Sequence, residues 1–260
     1  MPGILLRIPY IQNKVSEVAT TQLSGHLGVP VKIGNVDIEW FNRLVLEGLY
    51  LEDQDGKVMF EANHVAAGFE IMPLLEGKFV FTTVRLFGFS FNLRKHTPES
   101  PLNLQFVIDA FASKDSIKKE KNIDLRFNSI MIRRGNFSYN VDSEKETPGK
   151  FNAKHIDIKN LSAKISLKAF NKDSVNAHIK KMSFDEASGF SLNKLSLNVV
   201  GNRDSAFVQD FEVRLPQTNL KIGRARIDLS EIDSLPALLN NAPIDLNITP
   251  SQICLKDLSP

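Results

Sequence analysis

The chain has one cysteine, Cys254, among its 260 residues, which excludes an intrachain disulfide framework and any multi-cysteine metal site. Neither sign of charge is in surplus: 32 Lys+Arg stand against 30 Asp+Glu, a formal net charge of +2. A dedicated nucleic-acid binder carries a larger, patterned basic excess, so nucleic acid is not an expected partner. Long apolar runs are missing too. The opening stretch from Met1 to Pro9 is apolar but broken by Arg7. A membrane span needs about 18 or more apolar residues, and a signal peptide needs a longer apolar stretch after its basic end. Low-complexity tracts are absent and 42% of the residues are hydrophobic, which argues against disorder.

Catalytic and metal-binding signatures are also lacking. The five histidines His26, His64, His96, His155 and His178 form no His-x-x-x-His or His-Glu-x-x-His pair. No Gly-x-Ser-x-Gly elbow occurs; Ala187-Ser188-Gly189-Phe190-Ser191 lacks that arrangement. Neither phosphate-cradling glycine loop is present. Asp53-Gln54-Asp55-Gly56-Lys57 offers two carboxylates and a glycine but no distal ligand set for calcium, so it reads as a polar hairpin turn. Cys254 has no evident partner base and Arg133-Arg134 reads as a solvent-facing pair. The expectation is a protein with no catalytic residue, no metal and no cofactor.

What is present is pattern. Residues 10–29 form an amphipathic helix and its stop: Ile11, Val15, Val18, Ala19, Leu23 and Leu27 share one face, Pro9 precedes them, and Gly28 and Pro30 end them. After Pro30 the period changes to apolar-x-apolar-x-x-apolar-x-apolar. Copies begin at Val31, Leu44, Phe79, Leu125, Ile156, Ala177, Phe190 and Leu220. Alternation places one set of side chains on one sheet face, and the two-residue step shifts the phase by one. A two-residue hairpin or a β-bulge would keep all four apolar residues together. Thr82-Thr83 and Lys180-Lys181 suit no primed turn, which needs positive φ, so long bulged strands are expected. True reversals are expected at Phe41-Asn42-Arg43, Asp53 to Gly56 and Pro148-Gly149. Irregular spacing excludes a solenoid of fixed period. The pattern predicts a curved antiparallel meander over 30–260, with a helical insertion at about 102–112, a charged loop at about 113–122 and a second short helix at Leu235–Asn240.

Phenylalanine is the abundant aromatic: 18 Phe against three Tyr and one Trp. Phe79, Phe81, Phe87, Phe89 and Phe91 cluster in one segment. A filled sandwich core would use them, but that needs a second sheet or enough helix to cover the first. Expected helix falls far below the usual third of a domain. A single curved sheet with a partly covered apolar face leaves an open hydrophobic groove, a surface suited to an apolar ligand.

Several segments resemble one family in sequence and in order. Ile8-Pro9-Tyr10-Ile11-Gln12, the helix, and Leu27-Gly28-Val29-Pro30-Val31-Lys32-Ile33-Gly34-Asn35-Val36-Asp37-Ile38 are similar to the N-terminal region of AsmA-like proteins, most of all the TamB-like translocation and assembly module proteins of Bacteroides-type bacteria. Phe41-Asn42-Arg43 with Leu44-Val45-Leu46, Leu86-Phe87-Gly88-Phe89, Phe106 to Phe111, Arg133-Arg134-Gly135 and Ser183-Phe184-Asp185-Glu186 extend the likeness, which weakens after about residue 230. The resemblance implies an envelope protein held in the inner membrane by one N-terminal helix, with a periplasmic hydrophobic β-groove linked to phospholipid movement and outer-membrane protein assembly. Anchor and long C-terminal body are not in this sequence. It would then be a soluble, membrane-proximal segment, with 1–9 a remnant or linker after the anchor and the groove domain 30–260 truncated at its C-terminus.

On that reading the groove lining comprises Phe79, Phe81, Leu86, Phe89, Ile130, Ile132, Phe184 and Leu197. The same residues could instead pack under the N-terminal helix. Exposing an acyl chain to water costs about 0.8 kcal/mol per methylene, or roughly 13 kcal/mol for some sixteen of them, a barrier that a continuous apolar channel removes. The alternative reading is an assembly factor whose sheet edge pairs with client strands or an outer-membrane barrel partner.

Overall fold

The alternating apolar pattern folds, in a computed structural model, into one curved, open sheet of twelve strands, with 65% of the described residues in strands. The structure describes residues 17, 20, 21, 23–39, 42–70, 72, 79–111, 123–170, 174–202, 204–228 and 244–258; of these, the side chains at 79, 81, 111, 123–127, 169, 170, 244 and 258 are not described.

Residues 17, 20, 21 and 23–27 are helical; the stretch 23–27 is called α1 here. It stops where the sequence predicts. The Gly28 N–H donates to the Ser24 carbonyl at 2.8 Å and Gly28 takes a left-handed φ of 70°, open to glycine without a Cβ penalty. Ser24 then clips helix to sheet: its Oγ accepts from the Val31 N–H at 3.0 Å.

The strands follow in chain order: β1 (Val31–Lys32), β2 (Asn35–Glu39), β3 (Arg43–Glu52), β4 (Val58–Phe69), β5 (Phe79–Lys95), β6 (Ile123–Val141), β7 (His155–Phe170), β8 (Ser174–Glu186), β9 (Ser191–Asn202), β10 (Ser205–Arg214), β11 (Asn219–Asp228) and β12 (Ile244–Ile248). β1 and β2 both lie along β3, and from β3 to β12 each strand pairs with the next. Helix α2 (Gln105–Phe111) realises the helical insertion, and a 3-10 turn covers Leu255–Leu258. The charged loop at 113–122 and the helix at Leu235–Asn240 both lie outside the described residues. No helix among the described residues is long and apolar enough to cross a membrane.

All neighbours are antiparallel except β5 and β6, which run parallel. The sheet is thus mostly antiparallel, as expected, and this one pair departs from the expected meander. A parallel pair needs a crossover of a dozen or more residues, and residues 96–122, carrying α2, supply it.

Most of the two-residue steps are bulges within long strands; the first, at Gly34-Asn35, instead separates β1 from β2. Register shifts fall at Phe81/Thr83, Ile179/Met182 and Ile222/Arg224, where the phase change was read. Shifts coincide with left-handed backbone at Arg134 (φ 52°) on β6 and Asn160 (56°) on β7; with Gly48 (62°) on β3 and Gly88 (58°) on β5, which take the same conformation in register, they cross the sheet as a crease. Bulges increase local twist, which bends the sheet along this line. The reversals sit where expected. Glu39 pairs with Arg43 across residues 40–42, Asp53 N–H donates to the Lys57 carbonyl at 2.8 Å, and Gly149 (φ 70°) lies in the β6–β7 connection.

One cluster of buried core residues sits at the N-terminal end: Val31, Ile33 and Val36, with Leu23 and Leu27 of α1 above and Leu44, Leu46, Leu49 and Leu51 around. Other buried apolar residues, Met59, Ala66, Val141 and Ala163 among them, are spread along the sheet.

Candidate apolar binding face

Bulges keep the apolar set on one side, and strand register shows how far that set extends. One cross-strand ladder runs Val36, Leu46, Val65, Leu86, Ile132, Ala163, Met182, Leu195, Val213, Leu220, each residue the direct partner of the next. It crosses the sheet from β2 to β11 without a polar residue. A parallel ladder runs Ile38, Leu44, Ala67, Val84, Ile130, Ile165, Ile179, Leu197. On the other side of the crease a third runs Leu51, Phe60, Phe91, Phe137, Ile158. Ring centroids 5.7 Å apart for Phe60–Phe91 and 6.2 Å for Phe91–Phe137 place those aromatics on one face.

Beyond the patch under α1, nearly all of these side chains are half-buried, shielded by one another rather than by a covering layer. Every described strand belongs to this one sheet, so no second sheet is available among the described residues to close the face.

The sequence-derived lining residues distribute as follows. Leu86 and Ile132 are direct partners in the first ladder; Ile130 and Leu197 belong to the second. Phe184 pairs with Leu192 and its ring stands 6.1 Å from Phe190, near the β8–β9 turn. Phe89 is only 5% exposed: its ring stacks on Phe60 at 6.1 Å and covers the Gly135 backbone, so it forms floor rather than free lining. Phe79 and Phe81 pair along the backbone with Ile123 and with Phe69 and Leu125, and their side chains lie outside the described residues. Sequence reading missed Val65, Ala163, Met182, Val213 and Leu220 as parts of the same surface. Their apolar, alternating context was visible, but only register shows that they stand side by side.

Charged groups gather at the rim formed by the ends of β3, β5, β6 and β8. Asp53, 2% exposed, accepts at one oxygen from the Asp55 and Lys57 N–H groups, both at 3.0 Å. Its other oxygen accepts from Arg94 Nη2 at 2.9 Å and Asn103 Nδ2 at 3.0 Å. Burial alone would raise this carboxyl, but the hydrogen bonds from Asn103, Arg94 and Lys57 outweigh it and hold the group below its ordinary value. Arg94 also reaches Asp55 and Asp142, at 2.6 and 3.1 Å. Glu186 repeats the device in the next turn along the rim. Its carboxylate accepts from the Ser188 N–H at 2.8 Å and is likewise lowered, with hydrogen bonding again overcoming burial.

These carboxylates are fully used in holding turns. Among the described residues, no three His, Cys, Asp or Glu side chains converge as metal ligands would. His155 is tied to Asn140 and Glu144, and His96, 64% exposed at its side chain, faces Asp55 and Asp142. The chemistry this arrangement offers is apolar contact along a face, braced by a polar rim. Comparison with known proteins adds no relative: no family model, no curated protein and no solved structure matches the chain.

Proposed function

We propose that the chain is a non-enzymatic lipid-binding segment of an envelope protein, whose apolar sheet face receives phospholipid acyl chains and passes them along its length. The observation that carries this reading is the ladder from Val36 to Leu220, unbroken by polar side chains. At about 4.8 Å per strand, its nine steps span roughly 43 Å. One leaflet's acyl chains occupy about half of the 30 Å hydrocarbon core, so more than one chain fits end to end. A soluble protein has little reason to keep so long an apolar strip half-covered unless something apolar covers it in use. The resemblance to AsmA-like and TamB-like proteins points to the same ligand, and to a periplasmic setting at the inner membrane.

The direct test is uptake of a fluorescent phospholipid by the delipidated chain. Saturable uptake by the wild type, reduced by Ile132→Asp and by Met182→Asp in variants that keep their far-UV spectrum, supports the reading. Absence of uptake, or uptake unchanged by both substitutions, overturns it.

One observation favours a second reading, outer-membrane protein assembly by strand addition. Among the described residues, β12 is paired on one side only, and Leu246 and Ile248 are 48% and 60% exposed. A free edge of this kind can accept a client strand or a barrel partner. Peptide binding that is lost on Leu246→Pro while phospholipid uptake persists would favour it.

A further inference from the structure

We propose that Arg85, Arg133, Arg134, Lys164, Lys180 and Lys181 form a docking surface for an anionic lipid bilayer, on the face of the sheet opposite the apolar ladders. Strand alternation sets the side. Arg85, Arg133, Lys164 and Lys181 are chain neighbours of the ladder residues Leu86, Ile132, Ala163 and Met182, so they point the other way. Lys180 and Lys181 fill the bulge between Ile179 and Met182, which brings both to this face. All six are exposed.

No carboxylate pairs with any of them among the described residues. Some cations elsewhere on the sheet stand beside acids: Lys194 and Arg214 on Glu212, Lys154 on Glu144, Lys159 on Asp157. In the patch the opposite is true. Lys164 and Lys181 are direct cross-strand partners, a like-charge pairing that weakens a sheet. Folding does not favour that arrangement; an anionic partner does. Arg133, Arg134, Lys164 and Lys181, with Phe87 as floor, line a shallow depression of about 600 Å³.

The geometry selects among polyanions. The cations spread over β5 to β8, about 14 Å at three strand spacings, instead of converging on one point. A plane of lipid phosphates meets such a spread. Phe87 cannot serve as a base-stacking platform, because the Arg134 and Arg133 guanidinium carbons already lie 4.7 and 6.0 Å from its ring centroid. β5 to β8 are paired on both sides, so no edge is free for an acidic peptide to extend. The surface extends the lipid reading to a second face and stands independently of it.

Flotation with phosphatidylcholine vesicles, with or without 30% phosphatidylglycerol, tests the patch. The expected result is binding to the anionic vesicles only, lost in high salt because exposed charges are screened. Each cation near an anionic surface contributes about fivefold, so Lys164→Gln/Lys181→Gln should weaken partition roughly 25-fold. That variant removes a repulsion and should melt no lower than the wild type, which separates lost binding from lost folding. Equal binding to both vesicles, or unchanged affinity in the variant, overturns the proposal. So does tighter binding of a poly-glutamate peptide or a single-stranded oligonucleotide in place of the vesicles. A wild type that fails to float with anionic vesicles but takes up phospholipid sinks the patch alone; one that floats but takes up none sinks the apolar-face reading alone.

Discussion

Gly135→Ala isolates how the apolar face is built. Gly135 is buried on β6, and the Phe89 ring from β5 lies where a side chain at 135 would project. The nearest obstacles to an added Cβ are the Phe89 ring atoms Cε1 and Cζ, and the ring is held from its other side by Phe60 at 6.1 Å. Backbone strain is not the issue, because Gly135 is not among the residues with positive φ. The methyl group must displace the ring. Overpacking a filled site costs about 1–3 kcal/mol, and loss of the ring stack about another 1 kcal/mol, so about 2–4 kcal/mol is expected in total. Urea unfolding followed by far-UV circular dichroism reads this, and a double-mutant cycle assigns it. Phe89→Ala alone should cost about 3 kcal/mol by opening a cavity. In that background Gly135→Ala should cost nothing, so the coupling equals its full cost in the wild type. A cost below about 0.5 kcal/mol in the wild type, or the same cost in both backgrounds, would refute the packing argument.

Other outcomes follow from the same geometry. Gly88→Ala should lose about 1–2 kcal/mol, because Gly88 sits at φ 58° and an added Cβ meets Asn63 Nδ2 at 2.7 Å; Gly223→Ala, whose nearest side-chain neighbour is 3.5 Å away, should be close to neutral in the same urea titration. Asp53→Asn should destabilise by about 2 kcal/mol, since it removes a charged acceptor from Arg94, whose side chain is 12% exposed and keeps Asp55 and Asp142. Asp53 and Glu186 both have folded values below their ordinary ones. Their stabilisation is therefore complete above the ordinary carboxylate range, near pH 4, and is lost as pH falls through the lower folded values. Melting temperature should drop with acidification from about pH 4 downward, and less steeply in Asp53→Asn; identical slopes would count against the rim network. Leu246→Lys/Ile248→Lys should reduce any concentration-dependent self-association seen by light scattering, and leave phospholipid uptake unchanged.

Much of the sheet was legible because its signal is local. The step in Phe79-Phe81-Val84-Leu86 and in Ala177-Ile179-Met182-Phe184 marks each bulge within one strand, with no knowledge of neighbours. The turn at Asp53 to Lys57 was equally local, since its carboxylate caps its own loop. What escaped depends on residues distant in sequence. The parallel pairing of β5 with β6 is decided by the helical crossover, and alternation along a strand does not encode the direction of its neighbour. Phe89 reads as groove lining by alternation, yet a glycine on the adjacent strand draws its ring down into the floor. The Asp53–Arg94 contact joins residues 41 apart. Arg133-Arg134 was read as a solvent-facing pair, and it is exposed; its neighbours Lys164 and Lys181 come from two other strands, so the patch exists only once the strands are in register.

The most direct test of the central claim is native mass spectrometry with lipid extraction, on the chain purified from bacteria without detergent. The account predicts co-purifying phospholipid at defined stoichiometry, diminished in Ile132→Asp on the apolar face and retained in Lys164→Gln on the other. A folded, homogeneous, lipid-free chain that also fails to take up added phospholipid would contradict it.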